Sequence, residues 1–333
     1  MPENEKILVA PLNWGLGHAT RCIPVIKELL KKNYQVIIAS DGEALELLKK
    51  EFPELPAESL PSYHIRYTKK ARFLPFALAW QSLKARGIIK KEYIKTGEII
   101  KKYGVTKIIS DNRYGVYNPK VKSIFITHQL RVFSGIFTPL SSFIQKKLTA
   151  PFNEIWVPDF EKEPNLSGKL SHDINYKQKI IYLGPKSRFK RKKIPVKRDI
   201  LILLSGPEPQ RSLLQEKLME ILANESYNIL LVEGKIQKHQ ISKKFNNIKV
   251  VNFLLSDQLE QAIQSSKIVI ARSGYTSIMD FHKLKTQVLY IPTPGQFEQE
   301  YLARHLYHTW KKEFILQNEL KNKLIEKLKQ ITG

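Results

Sequence analysis

The chain has 333 residues, with 42% hydrophobic and 26% charged residues, a balance that excludes a disordered protein and gives room for two domains, each with its own core. Fifty-five Lys plus Arg against 31 Asp plus Glu leave a net charge of +24, which calls for an acidic partner such as nucleic acid, anionic lipid or a phosphorylated substrate. The single cysteine, Cys22, excludes an internal disulfide and a cysteine-based zinc site and suits a reducing cytoplasm.

The opening run MPENEKILVAPLNWG has no signal-peptide core, and no stretch of about 20 apolar residues offers a transmembrane helix. A first strand is expected at Ile7–Pro11. It is followed by the loop Asn13-Trp14-Gly15-Leu16-Gly17-His18 and a helical pattern carrying Ile23, Val25, Ile26, Leu29 and Leu30. A second strand at Gln35–Ala39 completes the β-loop-α-β spacing of a parallel sheet. Gly15 and Gly17 let the backbone approach a ligand closely. Thr20 stands where a third fingerprint glycine would fall, so a nicotinamide dinucleotide is not expected.

Glu43–Phe52 reads as a helix, and Pro53, Pro56 and Pro61 break the chain after it. Further strands are expected at Lys107–Asp111, Ser123–Thr127 and Ile155–Pro158. The first of these runs into Asn112-Arg113-Tyr114-Gly115 and the second into His128-Gln129. Strand ends thus deliver His18, Asp111 and His128. In an open parallel sheet, ligands bind at those carboxyl ends. Two segments between strands are unusual. Residues 66–102 carry eleven Lys or Arg against two acids, with Phe73, Leu74, Phe76, Leu78 and Trp80 interleaved. Arg131–Leu140 then leads into Phe143, Ile144, Lys146 and Lys147. Such mixtures suit docking to an anionic membrane surface; a helix with a solvated charged face is the plainer alternative.

Residues 177–198 hold ten basic residues and no acid. The division expected here is a domain over 1–185, a basic exposed linker over 186–198 and a second domain over 199–333, whose last helix packs back on the first. The second half repeats the scheme. Strands are expected at Asp199–Leu204, Asn228–Glu233, Ile248–Phe253, Lys267–Ala271 and Gln287–Pro292. Ser256 is the expected cap of one helix, Thr293–Glu300 a loop, and Leu316–Ile331 a Lys-rich amphipathic helix. The loop Ser205-Gly206-Pro207-Glu208-Pro209-Gln210-Arg211 and the turn Arg272-Ser273-Gly274-Tyr275-Thr276 together make an expected diphosphate cradle, because a strand-to-helix turn exposes backbone N–H groups that favour anions. Asp280, about two helical turns on, can accept two hydrogen bonds from a ribose diol. Gln299 and Glu300 are candidates for sugar hydroxyls.

Arg272-Ser273-Gly274 with an acid at 280, then Pro292 and Gln299-Glu300-Tyr301, resembles the donor-site signature of glycosyltransferase family 28, in particular its MurG-type UDP-N-acetylglucosamine transferases. Gly15-Leu16-Gly17-His18, Thr127-His128-Gln129 and Tyr182-Leu183-Gly184-Pro185 follow that family's landmarks in order. The resemblance implies an α/β GT-B fold, two Rossmann-like domains facing across a cleft. It also implies a UDP-sugar donor and a metal-independent, inverting transfer of a hexosamine or hexose. By the same resemblance Ser205 and Gly206 meet the diphosphate, the backbone of Phe253 and Leu254 pairs with uracil, Asp280 holds the ribose, and Gln299 and Glu300 hold the sugar. Gly15, Gly17, His18, Arg113, His128 and Gln129 fall on the acceptor side. The family's acceptor-side glutamate and asparagine are missing after Gln129, where Leu130-Arg131 stand. The expected acceptor is therefore another lipid-linked or polysaccharide acceptor of the cell envelope.

Glycosyl transfer needs a base for the acceptor hydroxyl and positive potential for the leaving diphosphate. His18 and Asp111 compete for the base role; His18 is favoured, since an unperturbed imidazole titrates near about pH 6.5. Arg272, Arg188 and Arg211 are the candidate cations. No metal and no cofactor beyond the donor substrate are expected. The expected partners are the nucleotide sugar, the acceptor and an anionic membrane surface, with no nucleic acid. The expected location is the cytoplasm, peripheral to the inner face of the membrane. A UDP-sugar 2-epimerase of the same architecture and a non-enzymatic polyanion-binding protein are the alternatives.

Overall fold

The computed structural model describes residues 5–63, 74–206 and 208–332, apart from the side chains of residues 74–85 and 332. The chain forms two compact units that meet in sequence between Lys186 and Ser187.

The N-terminal unit is built on strands β1 (Lys6–Pro11), β2 (Gln35–Ser40), β3 (Ala57–Ser59), β4 (Lys107–Asp111), β5 (Lys122–Ile126), β6 (Glu154–Val157) and β7 (Lys179–Tyr182). They form one parallel sheet in the order β3-β2-β1-β4-β5-β6-β7. Ile7, Leu8, Val9 and Ala10 of β1 are fully buried. Consecutive burial without alternation means that both faces of the sheet are covered, as parallel sheets require. The cover includes α1 (Gly17–Lys31) and α2 (Gly42–Glu51), which pack on β1 to β3, and α3 (Leu74–Tyr103), whose Ile99 is buried with Leu8 and Ile108; α4 (Thr138–Thr149) follows β5 in the chain. The direction of chain winding reverses between β1 and β4, which pair with Pro11 opposite Asp111. The crevice beyond such a reversal is where α/β sheets hold ligands.

The C-terminal unit carries β8 (Arg198–Leu203), β9 (Ile229–Val232), β10 (Ser242–Phe245), β11 (Ile248–Val251), β12 (Ser266–Ala271), β13 (Val288–Tyr290) and β14 (Glu313–Phe314). Its sheet order is β10-β11-β9-β8-β12-β13-β14, parallel except where β10 pairs antiparallel with β11. Here the reversal lies between β8 and β12, with Leu203 opposite Ala271. The helices are α5 (Gln210–Leu222), α6 (Ser256–Gln264), α7 (Tyr275–Leu284), α8 (Phe297–Trp310) and α9 (Leu320–Thr332). Both units are therefore Rossmann-like.

Four expectations need correction. Residues 297–300 begin α8 instead of ending a loop; Glu298 and Glu300 in its first turn favour a helix N-terminus electrostatically. The last helix starts at Leu320, not Leu316. Its Leu320, Leu324 and Leu328, spaced four apart on one face, join Ile200, Leu218 and Ile315 in the core of their own unit. Burial of each such leucine is worth about 1.5–3 kcal/mol. At α6, Ser256 is the first helical residue, and the Gln258 side chain accepts the Leu255 N–H at 3.3 Å. The basic segment after Lys186 is laid along α6 and is not a free linker. The Lys190 N–H donates to Glu260 and the Lys192 N–H to Gln264, each at 2.6 Å, and Phe189 is buried.

Candidate active site

In the N-terminal unit, Gly15, at φ 67°, turns the loop after β1, so α1 begins at Gly17 and places His18 in its first turn. His18 Nδ1 lies 2.7 Å from Asp111 Oδ1 at the end of β4. Arg21, one turn along α1, grips both oxygens of Asp111 through Nε and Nη2. Its Nη1 donates to His128 Nδ1 at 2.9 Å. Asn112 Nδ2 is 3.3 Å from His18 Nδ1, and the Cys22 thiol donates to Asp111 at 3.6 Å. The structure thus assembles His18, Asp111 and His128 from three separate strand ends. Asp111 is fully buried, while the His18 side chain keeps 14% exposure.

The electrostatics follow from this packing. Burial opposes ionisation of Asp111, but the Arg21 guanidinium and His18 outweigh it and hold the carboxyl well below the usual carboxylate range. Burial lowers the affinity of His18 for a second proton; Asp111 offsets part of this and Arg21 adds to it. Burial and the neighbouring carboxylate push the Cys22 thiol up, which keeps it an inert thiol. An ionised carboxylate only accepts, so Asp111 selects the Nδ1–H form of His18 and leaves Nε2 to take a proton. Sequence reasoning missed Arg21. Its signal was a charge set among Ala19, Cys22, Ile23 and Val25, a run that demands a buried counter-charge.

Arg113 does not reach an acceptor. It is fully buried and forms ion pairs with Asp41 and, at 2.7 Å, with Glu92 of α3. It also donates to the carbonyls of Pro11 and Pro61 at 2.9 and 3.1 Å. Tyr63 and the Gly115 N–H complete the shell of Glu92. The network braces the β1 loop from below, since Asp41 also accepts from Asn13. Gln129 is half-buried, and its carbonyl accepts from Gln145 at 3.1 Å.

In the C-terminal unit, Ser205 and Gly206 follow β8, and Arg272-Ser273-Gly274 join β12 to α7, on the two sides of the sheet reversal. A side chain added at Gly206 or Gly274 would meet nothing within 4 Å, so the backbone there can be approached closely. The N-cap of α7, Gly274, brings no capping side chain, and the helix opens with Tyr275 and Thr276. Its N-terminus keeps anion-attracting character.

The arginines are spent on the protein itself. Arg272 is buried and donates to the carbonyls of Ile291, Pro292 and Gln210 at 3.2, 3.1 and 2.9 Å. Burial lowers its affinity for its proton to a pKa of about 9, so it stays a cation. Arg211 is held by Glu208 and by the Gly234 carbonyl. Both were expected to meet the leaving diphosphate directly; strand-end carbonyls and a local acid claim them instead. Arg188 donates to Ser256 and lies near Asp280.

Asp280 is 6% exposed and accepts from Ser187 Oγ at 2.6 Å. Burial raises its carboxyl to a pKa of about 6, against the pull of Arg188 and Ser187. The Phe253 N–H donates to Asn252, and its carbonyl accepts from Gln240 at 2.8 Å, so the expected uracil contacts of Phe253 are occupied; Leu254 beside it is half-buried. Gln299 Oε1 accepts the Thr293 N–H, and Glu300 accepts the Gly295 N–H, both at 2.9 Å. These two side chains fix the loop over the start of α8.

A surface feature of the N-terminal unit complements these sites. On α4 the buried side chains are the polar Gln145 and Thr149, while Leu140, Phe143 and Ile144 are exposed. Ile136 just before it is 88% exposed, and Lys146 and Lys147 flank the patch. Such inverted amphipathicity asks for an apolar surface outside the chain. Of the segment expected at 66–102, the apolar side chains Phe73, Leu74, Phe76, Leu78 and Trp80 lie outside what the structure describes. Among the described residues no helix is long and apolar enough to cross a membrane, and no group of three His, Cys, Asp or Glu side chains is placed to hold a metal ion.

Residues 209–332 match the family model for the glycosyltransferase family 28 C-terminal domain. Over 317 residues the chain is 24% identical to an uncharacterized glycosyltransferase of Methanosarcina acetivorans, covering 89% of this chain and 81% of the relative. It is 21% identical to a UDP-N-acetylglucosamine–N-acetylmuramyl-(pentapeptide) pyrophosphoryl-undecaprenol N-acetylglucosamine transferase of Haemophilus ducreyi, covering 90% of this chain and 81% of the relative. Among solved structures, Acinetobacter baumannii MurG superposes with a TM-score of 0.56 at 15% identity, over 99% of this chain and 93% of its own. Glycosyltransferase VinC in complex with dTDP superposes at 0.62 and 10% identity, over 98% and 91%. The chain is a glycosyltransferase built on the GT-B fold, similar to the MurG-like members of family 28, whose C-terminal domain model its residues 209–332 match.

Proposed function

We propose that this glycosyltransferase moves a sugar from a UDP-sugar to a hydroxyl of a lipid-linked or polysaccharide acceptor, with inversion at the anomeric carbon. The observation that carries the reading is the His18–Asp111 pair, 2.7 Å apart at the reversal of the N-terminal sheet. His18 Nε2 takes the proton of the acceptor hydroxyl as its oxygen attacks the anomeric carbon. The bond from that carbon to the diphosphate breaks, and UDP leaves with the electron pair. Asp111 stabilises the imidazolium that forms. The diphosphate sits over the Ser205-Gly206 and Ser273-Gly274 turns, where the N-terminus of α7 supplies positive potential in place of a metal. The ribose diol takes the place of the Ser187 hydroxyl on Asp280. The Haemophilus ducreyi relative, named for a pyrophosphoryl-undecaprenol substrate, supports a lipid-linked acceptor. The exposed apolar face of α4 with its lysines supports docking to anionic lipid. The reading is tested by UDP release from a UDP-sugar panel with lipid-linked and polysaccharide acceptors. Release should require the acceptor and fall about 10²–10⁴-fold in kcat for His18→Ala. A His18→Ala enzyme at full turnover under saturating acceptor would remove the base assignment. Release of free sugar without acceptor would point to hydrolysis or epimerisation instead.

A further inference from the structure

Arg21 is 2% exposed on α1, one turn beyond His18. Its guanidinium faces three partners at once. Nε and Nη2 bond the two oxygens of Asp111 from β4, Nη1 donates to His128 Nδ1 from the end of β5, and Nη2 stands 2.8 Å from His18 Nδ1. Asn112 and the Cys22 thiol complete the groups around the pair. Arginine only donates and does not lose its proton in proteins. Its two-pronged grip therefore fixes the plane of the Asp111 carboxylate and turns Oδ1 to His18. A carboxylate in that position accepts from Nδ1–H. With Nδ1 carrying the proton, Nη2 cannot also donate to it, so toward the imidazole the guanidinium acts as a neighbouring positive charge and not as a donor.

We propose that Arg21 is the positioning residue of the His18 base: by clamping Asp111 it fixes the Nδ1–H tautomer of His18 and keeps Nε2 unprotonated and ready to accept the acceptor proton. This rests on the reading of His18 as base. Without Arg21, Asp111 is free to rotate, and its charge acts on His18 unopposed. The imidazole then holds a second proton to higher pH, and the neutral base disappears from the lower part of the working range. A purely structural Arg21, balancing a buried carboxylate, would lower thermal stability on removal and leave the titration of His18 where it was.

The test uses the full-length protein labelled with 15N-histidine, with His18→Gln to assign the His18 signals. Long-range 1H–15N spectra report tautomer and titration together. In the wild type His18 should show the Nδ1–H tautomer. In Arg21→Gln its titration should move up by about one pH unit, with mixed tautomers. The acid limb of kcat/KM should move up with it. Arg21→Lys keeps the charge but not the fork, so it should mix the tautomers with a smaller titration shift; this readout stands alone if the glutamine variant does not fold. Unchanged His18 tautomer and titration in a folded Arg21 variant would overturn the proposal. Full turnover in His18→Gln would overturn the base reading instead, while the spectra still decide whether Arg21 governs His18.

Discussion

A carboxylate removed from water must be compensated, and at Asp111 the compensation is also a chemical device. Arg21 holds it ionised, and it in turn orients His18. The pH dependence follows with a definite sign. The proposed base, His18, works neutral, and burial lowers its titration from the ordinary 6.5. So kcat/KM should stay level above neutrality and fall on the acid side with an apparent pKa below that of free histidine. An acid limb above about pH 7 would contradict the burial argument. Asp280 has the opposite character. Its carboxyl, raised to about 6, costs stability once ionised, so stability should fall as pH rises from the ordinary aspartate value through 6. Asp280→Asn, which keeps an acceptor for Ser187, should stabilise the ligand-free protein at neutral pH by up to about 3 kcal/mol, read from urea midpoints. A destabilised variant would mean that the charge is already compensated. The positions of His18, Asp111 and Asp280 in the fold were legible because each closes a strand or follows one at a fixed helical distance. Arg21 was not, because its meaning lies in partners 90 and 107 positions away.

At the scale of elements, legibility followed the length and continuity of apolar runs. The core strands β1, β4, β8 and β12 are such runs. β10, with the sequence SKKF, and the two-residue β14 carry no such signal and exist because a neighbouring strand offers them an edge. The start of α8 was hidden behind Pro294-Gly295, although its first-turn acids mark it. The fates of Arg113, Arg211 and Arg272 were illegible for a related reason: sequence does not show which carbonyls and carboxylates a strand end will turn inward. Arg113 joins α3, β2 and the loop after β4 into one buried charge network. Arg113→Met leaves Asp41 and Glu92 without their cation and should cost about 3–5 kcal/mol. A loss under about 1 kcal/mol in chemical denaturation would show that the network is dispensable to the fold.

At the scale of the molecule, the membrane docking proposed above combines the charge of +24 with the exposed apolar face of α4. Basic charge attracts an anionic bilayer from a distance, within a screening length of about 8–10 Å, and apolar side chains then enter its interface. Flotation with anionic vesicles should be weakened by Ile136→Ser with Phe143→Ser and by salt, while UDP affinity stays unchanged. Equal flotation of the double variant would leave charge alone as the attraction. The two-unit α/β architecture itself was legible from the repeated strand–loop–helix spacing in each half, and the structure gives each half its own sheet reversal. The UDP-sugar site proposed on the C-terminal reversal has Asp280 as its ribose ligand. The most direct measurement is a calorimetric titration of UDP into the wild type and into Asp280→Ala. Saturable binding in the wild type, weakened at least about tenfold in the folded variant, a difference of about 1.4 kcal/mol, is the expected result. Equal affinity in both, or no binding of UDP to the wild type, would contradict it.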